Sequence, residues 1–136
     1  MAVNVIVDAG FLAALIERRE RHHKWAVATA ARHPRPWRTC EPVLSEAFFL
    51  LDRHGAVALM ALLKRDQVLT PFRFGEEKQA VVTLMQKYGD VPMSFADACL
   101  VRMTEILSEP VVLTTDAHFR VYRRNGRQVV PCVLPS

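Results

Sequence analysis

Four carboxylates that lie far apart in the chain have the surroundings that metal-dependent chemistry requires. They are Asp8, Glu46, Asp97 and Asp116. Asp8 directly follows the apolar run 3–7, and Asp116 follows the run 111–114; both runs are typical of buried strands. In open α/β sheets, ligands bind beyond the carboxyl ends of the strands, which is where these two side chains are expected. Taken singly, each is better explained as a helix N-cap or a turn residue.

The sequence neighbours of Glu46 and Asp97 are mostly apolar. Residues 47–51, Ala-Phe-Phe-Leu-Leu, cover every side of a helix, so we expect the helix of Glu46 to be largely buried. A buried carboxylate is costly unless it is paired or binds a metal. Alternatively, Glu46 lies on a narrow exposed stripe or pairs with a basic residue. For Asp97, in the first turn of a helix, the alternative is compensation of the helix dipole, worth about 0.3–1 kcal/mol.

If these four acids meet at one edge of a sheet, they need a counter-charge. Neighbouring carboxylates raise one another's pKa values and cannot all stay ionised without a cation. Ligation by oxygen atoms alone favours Mg²⁺ or Mn²⁺. Such ions activate water and stabilise the charge that develops on a phosphoryl group during in-line attack. The set of acids therefore predicts phosphoryl chemistry at a divalent cation.

The elements that must position these acids alternate between strands and helices. Strands are predicted at residues 3–7, 37–40, 68–74, 111–114 and 128–133, and helices at 11–19, 25–32, 42–52, 56–65, 76–88 and 94–107, with a helical turn at 117–122. Gly55 is expected to end the third helix, Ser94 is a candidate N-cap, and Asn125-Gly126 predicts a turn. The alternation implies an α/β fold in which helices cover both faces of a parallel sheet.

Length, charge and cysteine content narrow the class of protein. The 136 residues suit a single domain, 1–136, and 51% of them are hydrophobic, enough for a core. The net charge of +4 permits an anionic partner but does not require one. The cysteines at positions 40, 99 and 132 form no C-x-x-C pair, which disfavours zinc and a disulfide framework and favours a reducing cytoplasm. We expect neither a signal peptide nor a membrane span.

Two clusters of basic residues are candidates for contacts with a phosphate backbone. The first basic cluster is Arg18, Arg19, Arg21 and Lys24, and the second is Arg120, Arg123, Arg124 and Arg127. Contacts of this kind weaken as the salt concentration rises. A solvated helix surface explains each cluster equally well. No aromatic platform for stacking bases is evident, and Trp25 and Trp37 are expected in the core.

Each of the four acids lies in a characteristic short stretch. The stretches are Val5-Ile6-Val7-Asp8, Glu41-Pro42-Val43-Leu44-Ser45-Glu46, Phe95-Ala96-Asp97-Ala98 and Leu113-Thr114-Thr115-Asp116. In order and spacing they resemble the stretches of PIN-domain ribonucleases, specifically the VapC-type toxins of toxin–antitoxin systems. Residues 20–25 and 119–124 also resemble that branch. The resemblance implies that the four acids occupy the family's four acidic positions.

The resemblance also implies a fold, an activity and partners. The fold is a PIN-like three-layer sandwich, a five-stranded parallel sheet flanked by helices, and the activity is hydrolysis of RNA phosphodiester bonds. We hypothesise that Asp8, Asp97 and Asp116 hold one Mg²⁺ or Mn²⁺ ion that activates the attacking water. Glu46 would position that water or hold a second ion. Family members commonly dimerise and are inhibited by an antitoxin protein, which often inserts a basic or aromatic side chain into the acidic pocket.

Two positions depart from the family pattern. Gly10 stands where many relatives have Ser, Thr or Asn, so a polar group near the metal is missing, and His118 stands where relatives often carry an acid. Thr114 retains a hydroxyl that either orients Asp116 or belongs to an ordinary strand residue. The departures leave a second hypothesis open, a PIN-like module that binds RNA or protein without catalysis.

A phosphoacceptor signalling domain of similar sheet topology fits the sequence less well. Such a domain needs an acidic pair after the first strand, a lone Asp after the third and a Lys after the fifth. Here Asp8 is single, the third predicted strand runs into Phe72-Arg73-Phe74, and no Lys follows Leu113.

Overall fold

A computed structural model describes residues 3–136 of the chain. Its strands are β1 (Asn4–Val7), β2 (Trp37–Arg38), β3 (Val68–Leu69), β4 (Pro110–Leu113), β5 (Arg123–Arg124), β6 (Gln128–Val129) and β7 (Cys132–Val133). Its α-helices are α1 (Ala9–Ile16), α2 (His23–Arg32), α3 (Glu41–Leu50), α4 (Arg53–Lys64), α5 (Phe74–Lys87) and α6 (Phe95–Ile106). A short 3₁₀ helix, Ala117–Arg120, follows β4.

Five of the strands form a parallel sheet in the order β3-β2-β1-β4-β7. β1 suits its central position because residues 5–7 are buried and offer apolar side chains to both faces. The register between β1 and β4 aligns Val7 with Leu113. The next residues, Asp8 and Thr114, therefore emerge side by side at one edge of the sheet. The predicted α/β fold with five parallel strands and flanking helices is confirmed.

Each of the larger helix–helix contacts involves α1 or α6. α1 packs against α2, α3 and α4, whereas α6 packs against α5, α3 and β4. Phe11, on the buried side of α1, makes edge-to-face contacts with Trp25 and Trp37, at centroid distances of 5.8 and 5.5 Å. Aromatic pairs of this kind contribute about 0.5–1.5 kcal/mol beyond the burial of their area. Both tryptophans thus belong to the packing around α1, as expected.

The third strand is shorter than the sequence predicts. The alternation of residues 68–74 indicated a strand throughout, but only Val68–Leu69 pairs with β2. Pro71 lies two residues after Leu69, and proline lacks the N–H that a sheet ladder requires. Phe74 already begins α5.

The last predicted strand, residues 128–133, divides into two at Pro131. β6 lies before the break and pairs antiparallel with β5, whereas β7 lies after it and joins the parallel sheet. The predicted turn at Asn125 and Gly126 connects β5 and β6, with φ angles of 50° and 84°. Positive φ at both positions is the geometry for which Asn-Gly is favoured in hairpin turns.

Helix α3 is only half buried, so the prediction of a largely buried helix around Glu46 is wrong. Val43 and Ala47 face the core, whereas Phe49 is 89% exposed and Leu50 is also exposed. Glu46 itself is exposed. The apolar run does cover every side of the helix, but the main packing partners of α3, which are α1 and α6, leave the side of Phe49 uncovered.

Gly55 does not end α3, in contrast to the prediction. α3 ends at Leu50. Asp52 is the N-cap of α4, and its side chain accepts a 2.7 Å hydrogen bond from the Gly55 N–H in the first turn of that helix. A Cβ at Gly55 would lie 2.6 Å from Glu17 Oε1, so glycine permits a close approach of α4 to the end of α1. α1 ends at Ile16 rather than at residue 19.

The three cysteines lie at different depths in the fold. Cys40 and Cys99 are buried, Cys132 is partly buried, and all three are free thiols. Within residues 3–136, no helix has both the length and the apolar character needed to cross a membrane.

Candidate active site

Asp8 leaves the sheet directly after β1 and is the N-cap of α1. Its Oδ1 accepts a 2.8 Å hydrogen bond from the Phe11 N–H, one of the donors that the first helical turn leaves free. Its Oδ2 accepts a hydrogen bond from the hydroxyl of Thr114. Only 7% of Asp8 is exposed. The capping role and a role as a site carboxylate are therefore compatible in one geometry.

Thr114 connects two of the candidate acids. It is fully buried, and its hydroxyl donates to Asp8 while accepting a 2.9 Å hydrogen bond from the Asp116 N–H. A threonine that only completed a strand would make neither contact. The hydroxyl instead fixes the backbone of Asp116 relative to the carboxylate of Asp8, which agrees with the orienting role that the sequence suggested.

Asp97 is the third residue of α6 and forms a capping box with Ser94. Ser94 Oγ accepts a 3.0 Å hydrogen bond from the Asp97 N–H, and Asp97 Oδ2 accepts a 3.2 Å hydrogen bond from the Ser94 N–H. This reciprocal arrangement satisfies two free donors of the helix terminus. The cap predicted at Ser94 is thereby confirmed.

Tyr122 is a further contact of Asp97 that sequence analysis missed. The Tyr122 hydroxyl lies 3.0 Å from Asp97 Oδ2 and 3.1 Å from the Pro92 carbonyl oxygen, so its proton has two acceptors. The ring is fully buried, and burial, followed by the charge of Asp97, raises the pKa of the phenol. Tyr122 therefore stays a neutral donor. Its only signal in the sequence was its place within the stretch 119–124.

Asp116 caps the 3₁₀ helix and is paired with His118. Asp116 Oδ1 accepts a 2.9 Å hydrogen bond from the His118 N–H and lies 2.7 Å from His118 Nδ1. Both side chains are partly exposed. The imidazole of His118, the residue that departs from the family pattern, thus contacts the carboxylate of Asp116.

Glu46 lies beside Asp97, on a different helix. α3 packs against α6, and the pKa of Glu46 is raised by partial burial and by the charge of Asp97. Although Glu46 is not buried as predicted, the packing of the two helices brings it within electrostatic reach of Asp97.

Burial and mutual repulsion oppose ionisation of the buried acids. Burial raises the pKa of Asp8 from 3.8 to about 7; the hydrogen bonds from Thr114 and Phe11 oppose this shift, and the charges of Asp97 and Asp116 add to it. Burial likewise raises the pKa of Asp97, and the charge of Asp116 adds to that shift. The acids from four separate segments therefore form one electrostatically coupled group.

The donor chemistry of this group fits a hard divalent cation. The available atoms are carboxylate oxygens, which Mg²⁺ and Mn²⁺ prefer, and a cation would remove the penalty on ionising Asp8. As the side chains stand, no three acidic, histidine or cysteine side chains within residues 3–136 converge closely enough to hold an ion. Mg²⁺ usually keeps several water ligands, so contact with all of these carboxylates at once is not required.

The second basic cluster is partly structural. The Arg123 guanidinium donates a 2.7 Å hydrogen bond to the Arg120 carbonyl, and Arg124 Nε donates one of 3.1 Å to the Thr104 carbonyl. The first bond lies within the segment after the 3₁₀ helix, and the second holds that segment against α6. Arg120 and Arg127 are exposed, as is the whole first basic cluster.

Comparison with known proteins identifies the family. Among solved structures, the chain is similar to the VapC20 toxin of Mycobacterium tuberculosis, described as cleaving the sarcin-ricin loop, with 24% identity, a TM-score of 0.67, and coverage of 80% of this chain and 87% of that one. At this identity the likeness concerns the fold. No protein of curated function matches the sequence significantly. The family model of the PIN domain matches residues 5–125, a span that contains all four acids, and the chain belongs to the PIN-domain family.

Proposed function

We propose that this PIN-domain protein is a metal-dependent endoribonuclease and the toxin of a toxin–antitoxin pair. Family membership supports nuclease activity, and the fold shared with VapC20, a toxin that cleaves an RNA loop, supports RNA as the substrate. The observation that carries the proposal is the buried Asp8, whose ionisation is opposed by burial and by the charges of Asp97 and Asp116. A divalent cation is the partner that relieves this cost.

In this proposal each acid has a distinct role. Asp8, Asp97 and Asp116 hold one Mg²⁺ or Mn²⁺ ion, which when bound activates a water molecule and stabilises charge on the phosphoryl oxygens. Glu46, which is exposed beside Asp97, positions the attacking water or holds a second ion.

Neutral hydrogen-bonding groups of the folded chain keep these acids in place. Thr114 sets Asp8 relative to Asp116, and Ser94 and Tyr122 fix Asp97. Partners of a metal ligand that fix its orientation typically change affinity or activity by about 10–100-fold when removed. The site is thus preorganised by the folded chain itself.

RNA would be held by charge outside the acidic group. The exposed first basic cluster offers four cationic side chains, and such contacts neutralise backbone phosphates without reading the sequence. Single-stranded or looped RNA suits such a site, since unstacked bases expose their edges.

A cognate antitoxin and a second copy of the chain are the proposed protein partners. Both follow from the family pattern. Large apolar side chains are exposed on α3 and α4, including Phe49, Leu50 and Val57. Exposed apolar groups of this kind supply surface that protein partners cover.

Cleavage of RNA by the purified protein tests the proposal. The wild-type protein is expected to cut RNA in the presence of Mg²⁺ or Mn²⁺ and to lose this activity in EDTA. Asp8→Asn and Asp97→Asn are each expected to slow cleavage by more than about 100-fold, since even indirect ligand contacts are worth about 10–100-fold. Asp90→Asn, in the exposed loop after α5, is the matched control and should cleave normally. Equal rates for wild type and Asp8→Asn would refute the proposal.

The same assay decides the second hypothesis. A PIN-like module that only binds would retain RNA on a filter or in a gel shift and would show no metal-dependent product. In that case EDTA and Asp8→Asn would change neither the RNA nor its length distribution.

A further inference from the structure

Gly10, the second residue of α1, lies against the loop that follows β4. A Cβ built on Gly10 would overlap the Oγ1 atom of Thr115 and would lie 3.6 Å from Asp8 Oδ1. Glycine in a helix costs about 0.5–1 kcal/mol relative to alanine, so its presence here calls for a spatial reason. The reason is that the volume of a side chain at position 10 is already filled by the Thr115 hydroxyl, and the same volume borders the carboxylate of Asp8.

The Thr115 hydroxyl is not used by the network that fixes the acids. Asp8 accepts hydrogen bonds from Phe11 and Thr114, and Asp116 accepts them from His118. Thr115 itself is half-buried at the edge of the sheet. A hydroxyl oxygen is a hard donor of the kind that Mg²⁺ and Mn²⁺ accept, either directly or through a retained water.

We propose that Thr115 is a positioning residue of the cation site, and that the lack of a side chain at Gly10 leaves the space that its hydroxyl occupies. The inference rests on the proposed metal-dependent function. By the family pattern alone, Gly10 implies that a polar group near the metal is missing. The geometry instead supplies that polar group from the β4 side of the site, because Thr115 reaches the volume that a side chain on α1 would have occupied.

Calorimetric titration of the full chain with Mn²⁺, without RNA, tests the role of the hydroxyl. Thr115→Val keeps the shape of the side chain and removes the hydroxyl; it is expected to weaken Mn²⁺ binding by about 10-fold. Thr115→Ser keeps the hydroxyl and should bind close to wild type. Thr83→Val is the matched control: the Thr83 hydroxyl donates to the Gln79 carbonyl within α5, and its loss should leave Mn²⁺ binding unchanged.

A rescue experiment tests the pairing with Gly10. In the Thr115→Ala background, Gly10→Ser returns a hydroxyl to the same volume from α1 and should restore most of the lost affinity. With Thr115 intact, Gly10→Ser should weaken binding instead, because the two side chains compete for one space. If Thr115 had a purely structural role, the effect of Gly10→Ser on Mn²⁺ affinity would not change sign between the two backgrounds.

The outcomes separate this inference from the proposed function. Unchanged Mn²⁺ affinity in folded Thr115→Val, or a double variant no better than Thr115→Ala alone, would overturn the inference, as would a wild type that binds no Mn²⁺. If Thr115→Val does not fold by circular dichroism, the rescue pair decides the question. A wild type that binds Mn²⁺ through Thr115 but cuts no RNA refutes the nuclease and leaves the inference standing.

Discussion

The hydroxyl of Thr114 donates a hydrogen bond to the carboxylate of Asp8, 106 positions away in the chain. The contact depends on the parallel register of β1 and β4, which places Val7 beside Leu113. The same hydroxyl accepts the Asp116 N–H. Two adjacent strands therefore position two of the candidate metal ligands through one buried side chain.

Removing this hydroxyl should weaken the site without unfolding the protein. Thr114→Val keeps the shape of the side chain but takes a donor from Asp8 and an acceptor from Asp116. We expect Mn²⁺ affinity and RNA cleavage to fall by about 10–100-fold, measured by calorimetry and by a gel assay. Thr114→Ser, which keeps the hydroxyl, is the control; equal loss in both variants would contradict the role of the hydrogen bond.

Stability of the metal-free protein should fall as the pH rises. The pKa of Asp8 is about 7 in the folded protein and 3.8 as its ordinary value, so between these values the folded state binds more protons than the unfolded state. The free energy of unfolding then decreases as pH rises through this window, by up to about 4 kcal/mol from Asp8. Urea denaturation in EDTA at pH 4.5 to 8 measures the slope.

Asp8→Asn should flatten that slope and stabilise the metal-free protein at pH 8. Asp90→Asn, in the exposed loop, should keep the wild-type profile. The raised pKa values of Asp97 and Glu46 also make the folded state less stable as the pH rises. The free energy of unfolding of Asp8→Asn should therefore still decline with pH, but less than that of wild type. A profile that rises with pH would show that Asp8 is not desolvated in the fold.

A bound metal ion should offset the free-energy cost of ionising the acids and so stabilise the folded protein. At pH 8, Mn²⁺ at about 100 times its dissociation constant should raise the free energy of unfolding by about 2.7 kcal/mol. Thermal unfolding with and without Mn²⁺ measures the shift. Asp8→Asn should show little or none of it, and an equal shift in both proteins would place the ion elsewhere.

Tyr122→Phe should disturb Asp97 specifically. The loss of one hydrogen bond costs about 1 kcal/mol of stability, and because that bond lowers the pKa of Asp97, the pKa should rise. Carboxyl NMR titration and RNA cleavage measure the two effects. Tyr88→Phe is the control for a neighbouring phenol: the Tyr88 ring packs edge-to-face on Tyr122, but its hydroxyl accepts a 2.8 Å bond from the backbone N–H of Arg123; the variant should lose stability but leave Asp97 unchanged.

Opposite sides of α3 should respond differently to substitution. Phe49→Ser is expected to change the free energy of unfolding by less than about 0.5 kcal/mol, since Phe49 is exposed. Val43→Ala should cost about 1.5–2 kcal/mol, because two buried methylene equivalents are lost. Urea denaturation measures both, and a large loss in Phe49→Ser would restore the view of α3 as a fully buried helix.

Local signals were sufficient where neighbours in sequence decide the structure. Ser94 and Asp97 are three residues apart and form their capping box within one turn, and Asn125-Gly126 makes its turn with its own backbone. The strand 68–74 and the helix end at Gly55 were predicted wrongly because two other local signals decided them: Pro71 lies just beyond β3, and Asp52 caps the next helix by accepting the Gly55 N–H.

The amino-acid sequence alone determined the choice of the four candidate acids, the alternation of strands and helices, and hence the parallel sheet with Asp8 and Asp116 near its carboxyl edge. These follow from residue type and spacing, which act locally. Only the tertiary structure decided that Thr114 bonds Asp8, that Tyr122 holds Asp97 and that Thr115 fills the space beside Gly10. Each of these contacts joins residues from distant segments, and their distance depends on strand register and helix packing rather than on any local pattern.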